Sequence, residues 1–436
     1  MNKREKIFEN VFIIFCFIMF IIWVVVQPFN SCPDEAMRYD VIRYVFHYNK
    51  LPHGGEESLL NPIWGFSYAF LPYLSGLISV VIMKIISLFT MNEQILVIAA
   101  RMASVCFGVI SIYYIIKISN RLFENIYKWF FIILVSCLPQ FVFLSSYMNN
   151  DILALMSVVM IIYYWIEGHE NQWNIKSNIG LAISVSICAL SYYNAYPFIL
   201  FSIVFFIWSN LNLKLDKKEI VNKFIFISVI VFILSGWWFI RNAILYNGDF
   251  LGMNTMTEYS NIYAREDIKP INHLTPQKEG GSVVSMLLDK RWLKITYKSF
   301  VGVFGHMQFY MKSWIYKFYA GVIVFGIACF IIRLFRLKEI SKSKSVISSF
   351  ITLAALITVC LSIYRSYTVD FQPQGRYIIE CLIPLAIFVT EGFKYITEVL
   401  DNKLKYIAKI SILIICGMFI LISISCLFMI IIPAYK

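Results

Sequence analysis

The chain has 436 residues, of which 59% are hydrophobic, 17% aromatic and only 15% charged. A soluble fold of this length needs more polar surface, so the composition excludes that class and makes the lipid bilayer a partner. The net charge of +12 raises nucleic acid as another. The basic residues, however, stand beside the ends of apolar stretches with no RNA- or DNA-binding motif, so they are read as orienting the chain in a membrane and no nucleic acid is expected.

Taken in chain order, apolar stretches long enough to cross about 30 Å of hydrocarbon predict about eleven membrane helices. They fall at residues 7–27, 95–118, 129–147, 151–167, 179–192, 196–212, 224–245, 313–335, 346–364, 377–393 and 410–432. Barrel strands would be shorter and would alternate, so the fold class is an all-α polytopic membrane protein. The first stretch follows Lys3, Arg4 and Lys6, and its length and missing small-residue cleavage site predict a retained anchor. Residues 64–89 are apolar enough to cross, but crossing would turn every later basic cluster outward. They are therefore expected to form a re-entrant or surface-lying helix, entered through Pro62 and Pro72.

With the amino terminus inside, Lys117, Arg121, Lys214, Lys217, Lys218, Lys223 and the stretches 333–344 and 394–409 face the cytoplasm. The whole chain, 1–436, then reads as a single membrane domain with two larger outer loops. The first, 28–94, carries juxtamembrane helices, and the second, 247–312, with Gly280 and Gly281, forms a small cap or lid. Tyr192 to Pro197 breaks a long apolar run into a short hairpin. Nearly all of the ten cysteines lie in apolar spans as packing residues, Cys32 alone lies clearly in a loop, and no Cys-x-x-Cys pair supports zinc or a disulfide framework.

The chemistry-bearing residues gather in the outer loops. Pro33, Asp34 and Glu35 follow the first span by about six residues. Residues 34–48 carry Met37, Val41, Tyr44, Val45 and Tyr48 at helical spacing, which suits an amphipathic helix on the membrane with both acids in its first turn. The bland alternative is a capping box of Ser31 and Asp34. Adjacent carboxylates point about 100° apart on a helix, so one can cap while the other faces the bundle as a catalytic base. Asn150 and Asp151 open the fourth span on the same face, either as helix-terminal groups or to orient an acceptor or hold a cation.

Arg365, Gln374, Gly375, Arg376 and Tyr377 form the strongest candidate for binding a lipid phosphate, because guanidinium matches phosphate oxygens in a fork and Gly375 permits close backbone approach. Trp238 and Arg241 stand at another outer boundary, where Arg241 either shares the phosphate or pairs with Asp249. His47 and His53 lack the spacing of a zinc motif, so no metal site is assigned; a divalent cation shared by carboxylates and donor phosphate is the remaining cofactor possibility.

In their order along the chain, Pro33-Asp34-Glu35, Asn150-Asp151, Trp238-Phe239-Ile240-Arg241-Asn242 and Gln374-Gly375-Arg376-Tyr377 resemble the GT-C superfamily of membrane glycosyltransferases. The similarity is to the bacterial multispan branch related to the aminoarabinose transferases and protein O-mannosyltransferases. This resemblance implies a polyprenyl-phosphate-linked sugar donor, such as an undecaprenyl phosphate sugar, and inverting transfer at the outer face of the bacterial cell membrane. Asp34 matches the family's first-loop acid and would be the general base, while Arg376, with Arg365 or Arg241, would stabilise the departing phosphate. Asp151 matches a second outer acid by position only. The lysine-proline-proline region of the aminoarabinose transferases is reduced here to Asn61 and Pro62. The expected acceptor is a glycan of a cell-surface polysaccharide. The alternatives are a polysaccharide ligase or polymerase using a lipid-diphosphate glycan, and a lipid-linked substrate transporter.

Overall fold

The computed structural model describes residues 3–336 and 342–435. The described residues are mostly helical, with almost no strand. It opens with α1 (Lys3–Val26), α2 (Glu35–Tyr48), α3 (Leu74–Ser87), α4 (Glu93–Leu122), α5 (Asn125–Ser136), α6 (Pro139–Leu144), α7 (Asp151–Glu170), α8 (Ile175–Ala189) and α9 (Tyr196–Asn212). Helix α10 (Lys217–Val231) runs through a π-helical turn into α11 (Trp237–Leu245). The second large loop holds α12 (Met253–Tyr263), α13 (Val283–Leu288), α14 (Trp292–Gly302) and a two-residue hairpin of β1 (Val303–Phe304) and β2 (Phe309–Tyr310), paired Val303 to Tyr310. Helices α15 (Ser313–Arg336), α16 (Lys342–Thr368), α17 (Leu382–Val399) and α18 (Asn402–Cys426) complete the bundle.

Eight of these helical stretches are long and apolar enough to cross a membrane, and they make this a multi-pass membrane protein. The other expected spans are interrupted or short. The stretch 129–147 breaks at Cys137 and Leu138 ahead of Pro139, which fits the first turn of a new helix and not the middle of an old one. Helix α8 has 15 residues, and the stretch expected at 377–393 begins as a 3₁₀ turn (Gly375–Cys381) before α17.

The passes alternate between two faces. Lys128 pairs with Glu9 at 2.6 Å, Arg121 with Glu170, Lys223 bonds the Gln172 carbonyl at 2.9 Å, and Arg333 pairs with Glu391, all on one face. The amino end of α7, the α8–α9 turn and the residues after α16 meet on the other. Of the basic stretch 333–344, residues 337–341 lie outside the described residues.

Helix α3 stays on the second face. Its 14 residues reach about 21 Å, short of the bilayer core. Ser79 donates to the Ala100 carbonyl at 2.8 Å and Ser75 bonds Asn150, so α3 runs back along the first turns of α4 and turns into it through residues 88–92. Helix α2 packs on α3 with Ile42, Val45 and Phe46 buried, whereas Tyr48, expected on the same face, is 64% exposed.

Candidate active site

Placement of the first loop begins with Arg101, a guanidinium inside the apolar α4 and 1% exposed. Its Nη1 donates to the carbonyls of Val24 (2.9 Å) and Gln27 (2.6 Å) at the end of α1, and its Nη2 to that of Pro28 (2.9 Å). The same guanidinium grips both oxygens of Glu35, through Nε and Nη2 at 2.8 Å each. The Asn30 amide adds a bond at 3.0 Å to a carboxylate that is fully buried. Glu35 is thus occupied as the pin between α1, α2 and α4 and faces away from open space.

Its neighbour is disposed differently. Asp34 takes the left-handed conformation (φ 63°, ψ 3°) at the start of α2 and makes no side-chain cap, and Ser31 donates instead to the Pro28 carbonyl at 2.8 Å, so the capping box does not form. The Asp34 side chain is 28% exposed and lines a cavity of about 210 Å³.

Arg376 reaches it from 342 residues away. The 3₁₀ turn carrying Arg376 lies against α14, where the Gly375 amide donates to Ser299 Oγ at 2.9 Å and a Cβ on Gly375 would overlap the Phe300 backbone nitrogen. The close approach foreseen for this glycine is therefore made to the protein's own backbone. Arg376 Nη2 donates to Asp34 Oδ2 at 2.7 Å and to the Tyr377 hydroxyl at 3.0 Å, and its Nε donates to Gln374 Oε1 at 2.8 Å. Its Nη1 stands 3.9 Å from Asp151 Oδ2, a buried oxygen with no hydrogen-bond partner among the described residues. Tyr377 in turn bonds Gln372 and stacks on Tyr192 with ring centres 6.2 Å apart.

A second guanidinium, Arg38, lies one turn along α2 from Asp34, buried, with its carbon 4.3 Å over the Tyr68 ring. Two carboxylates and two guanidiniums thus share one largely buried cluster, of which Asp34 is the most exposed member. Burial opposes ionisation of Asp34, but the charges of Arg376 and Arg38, with hydrogen bonds from Arg376 and Tyr68, outweigh it and hold the carboxyl below its ordinary value. Each acid of the cluster faces a guanidinium, and no group of three His, Cys, Asp or Glu stands at metal-holding distance among the described residues.

The remaining sequence candidates divide. Arg365 is exposed and lines the cavity with Asp370, Gln372 and Tyr377. Asn150 donates to the carbonyls of Pro72 (2.8 Å) and Ser191 (3.1 Å) and accepts from Ser75, joining α3, α7 and the α8–α9 turn instead of facing the cavity. Arg241 donates to the Pro52 carbonyl at 2.6 Å and sits over Trp238, which is 1% exposed and edge-on to Tyr73; neither lines the cavity. Sequence reasoning does not single out Arg38, Arg101 or Tyr68. Arg38 is legible as the i+4 partner of Asp34, and Arg101 as a cation in the middle of an apolar span; nothing in the sequence marks Tyr68.

Fold and site together define a polytopic helical membrane protein with an acid–guanidinium cluster beside a cavity. Residues 75–238 match the family model described as dolichyl-phosphate-mannose-protein mannosyltransferase. Among solved structures, ArnT from Cupriavidus metallidurans in the apo state is similar at 12% identity and a TM-score of 0.53, over 92% of this chain and 61% of that one. The same protein bound to undecaprenyl phosphate is similar at 11% identity and 0.52, over 98% and 73%. The oligosaccharyltransferase AglB from Archaeoglobus fulgidus, in complex with an inhibitory peptide and a dolichol-phosphate, is similar at 11% and 0.55, over 97% and 55%. The chain thus spans less than two thirds of the apo ArnT and of AglB. No curated protein sequence matches it significantly. The resemblance to GT-C glycosyltransferases read from the motifs is matched at the level of the fold.

Proposed function

We propose that the protein transfers a single sugar from a polyprenyl-phosphate donor to an extracytoplasmic glycan hydroxyl, with inversion, at the outer face of a bacterial plasma membrane. The observation that carries this is the contact of Asp34, which lines a cavity, with the buried Arg376 behind it, an acid and a guanidinium brought together from opposite ends of the chain. The two similar proteins named above bind undecaprenyl phosphate and dolichol-phosphate, which supports a lipid phosphate as the leaving group. The basic ends on the opposite face support an outward site.

In the reaction, Asp34 accepts the proton of the acceptor hydroxyl as that oxygen bonds to the anomeric carbon. The bond from that carbon to the phosphate oxygen breaks on the opposite side, and polyprenyl phosphate departs as an anion balanced by Arg365 and Arg376. The proton passes from Asp34 to solvent. A donor phosphate competes with Asp34 for Arg376, so donor binding removes the counter-charge that keeps Asp34 weakly basic. The base therefore gains strength only when a donor is present.

Purified protein in vesicles, offered labelled polyprenyl-phosphate hexoses with a hexoside acceptor, tests the reading. A labelled disaccharide with inverted configuration supports it. Turnover only from a polyprenyl-diphosphate oligosaccharide makes the protein a ligase, and movement of label across the bilayer without transfer makes it a transporter; either result ends the proposal.

A further inference from the structure

The cavity beside Asp34 has an aromatic wall that the phosphate-binding residues leave unused. Trp64 stands at the tip of a closely built turn. Asn61 Oδ1 accepts the amides of Ile63 (2.9 Å) and Trp64 (3.1 Å), the Gly65 amide donates to the Asn61 carbonyl at 2.7 Å, and the Asn61 amide to the Phe66 carbonyl at 3.1 Å. This turn is fastened to the second loop, where the Arg265 amide donates to the Ile63 carbonyl at 3.1 Å. Gly65, at φ +69°, lies so close that a Cβ would overlap the Ala264 backbone nitrogen. Trp64 is 40% exposed and lines the cavity together with Phe66 and Tyr68.

These rings lead to the base. Phe66 packs edge-on to Tyr68 at 5.8 Å, and Tyr68 lines the cavity together with Asp34. The guanidinium that lines this cavity is instead Arg365, beside Asp370, Gln372 and Tyr377. The group that must touch Asp34 is the acceptor hydroxyl, so the surface continuous with Asp34 is where the acceptor lies. An indole face is electron-rich and matches the row of axial C–H bonds on one face of a pyranose, while the ring hydroxyls point to the polar rim.

We propose that Trp64, with Phe66, forms an acceptor subsite that stacks a hexopyranose ring and presents its hydroxyl to Asp34, which makes the acceptor a glycan in place of a peptide or a lipid hydroxyl. The proposal rests on the transferase reading. The full-length protein in vesicles is assayed with polyprenyl-phosphate hexoses as donors and a panel of p-nitrophenyl hexosides as acceptor probes, with release of free hexose to water measured in parallel. Trp64→Ala raises the acceptor KM about tenfold while donor KM, hydrolysis to water and kcat hold. Trp64→Phe recovers most of the loss, and Phe66→Ala gives a smaller rise. An unchanged acceptor KM in Trp64→Ala, as for an indole that only anchors in the bilayer interface, overturns the subsite and leaves the transferase reading standing. A rise in donor KM instead assigns the rings to the donor lipid and also overturns it. Failure of the wild type to transfer or hydrolyse any donor fells both.

Discussion

Replacing Asp34 with asparagine separates the base from the scaffold, because amide and carboxylate are nearly isosteric and only the proton-accepting capacity is lost. Removing a general base costs about 10² to 10⁴ in rate, which is about 3 to 5 kcal/mol of transition-state stabilisation. The effect on stability is smaller. Breaking a buried ion pair costs about 3–5 kcal/mol when the surviving charge is left alone. Here the amide oxygen introduced by Asp34→Asn would still accept from Arg376 Nη2, Asp151 stands 3.9 Å from the same guanidinium, and the Asp34 side chain is 28% exposed. A loss of about 1 kcal/mol is expected on these grounds. Donor affinity behaves in the opposite sense, since the phosphate no longer competes with a carboxylate for Arg376, so the dissociation constant is unchanged or tighter. The assay is steady-state transfer in vesicles beside equilibrium binding of polyprenyl phosphate and a thermal melt in detergent. A kcat within tenfold of wild type, or donor binding weakened together with the rate, refutes the assignment of Asp34 as base.

Three further outcomes follow from the same geometry. In Arg376→Gln, donor affinity falls about a hundredfold. Loss of the guanidinium also lets burial raise the Asp34 carboxyl, so the acid limb of the kcat/KM profile moves to higher pH; a limb that stays in place disproves the coupling. The sign for stability is consistent: the lowered Asp34 value means the ion pair stabilises the fold above the ordinary carboxylate range and loses that contribution as pH falls through the lowered value, and Arg376→Gln lacks this acid-dependent loss. Glu35→Gln breaks the bidentate pair with Arg101 and lowers stability by about 3–5 kcal/mol, seen as an earlier melt, while folded enzyme keeps kcat within a few-fold; full inactivation at unchanged stability would return Glu35 to the chemistry. Gly375→Ala forces the 3₁₀ turn off the Phe300 backbone at a cost of about 1–3 kcal/mol and weakens donor binding without touching a ligand-contacting side chain, which the same melt and binding measurements check.

Much of the architecture is visible in one dimension. Apolar run length predicts a helical membrane protein, the basic residues sort to one face, and within residues 64–89 the structure forms a short helix, α3, that runs back along α4. Pro139 is as visible in the sequence as any span, yet its effect, splitting α5 from α6, is hidden inside the hydropathy of 129–147. The candidate site is only partly legible: the sequence marks Asp34 and Arg376 most strongly, but it also marks Glu35, Asn150, Trp238 and Arg241, which the structure turns into joints and packing.

The cause lies in what each kind of information measures. Transfer from water to lipid is a free energy summed residue by residue, so span and orientation are written along the chain. Two adjacent acids, Asp34 and Glu35, are equivalent on that scale. Only the fold decides that Arg101 takes one of them 66 positions away, while Arg376 meets the other across 342, because Coulombic pairing depends on separation in space and on burial.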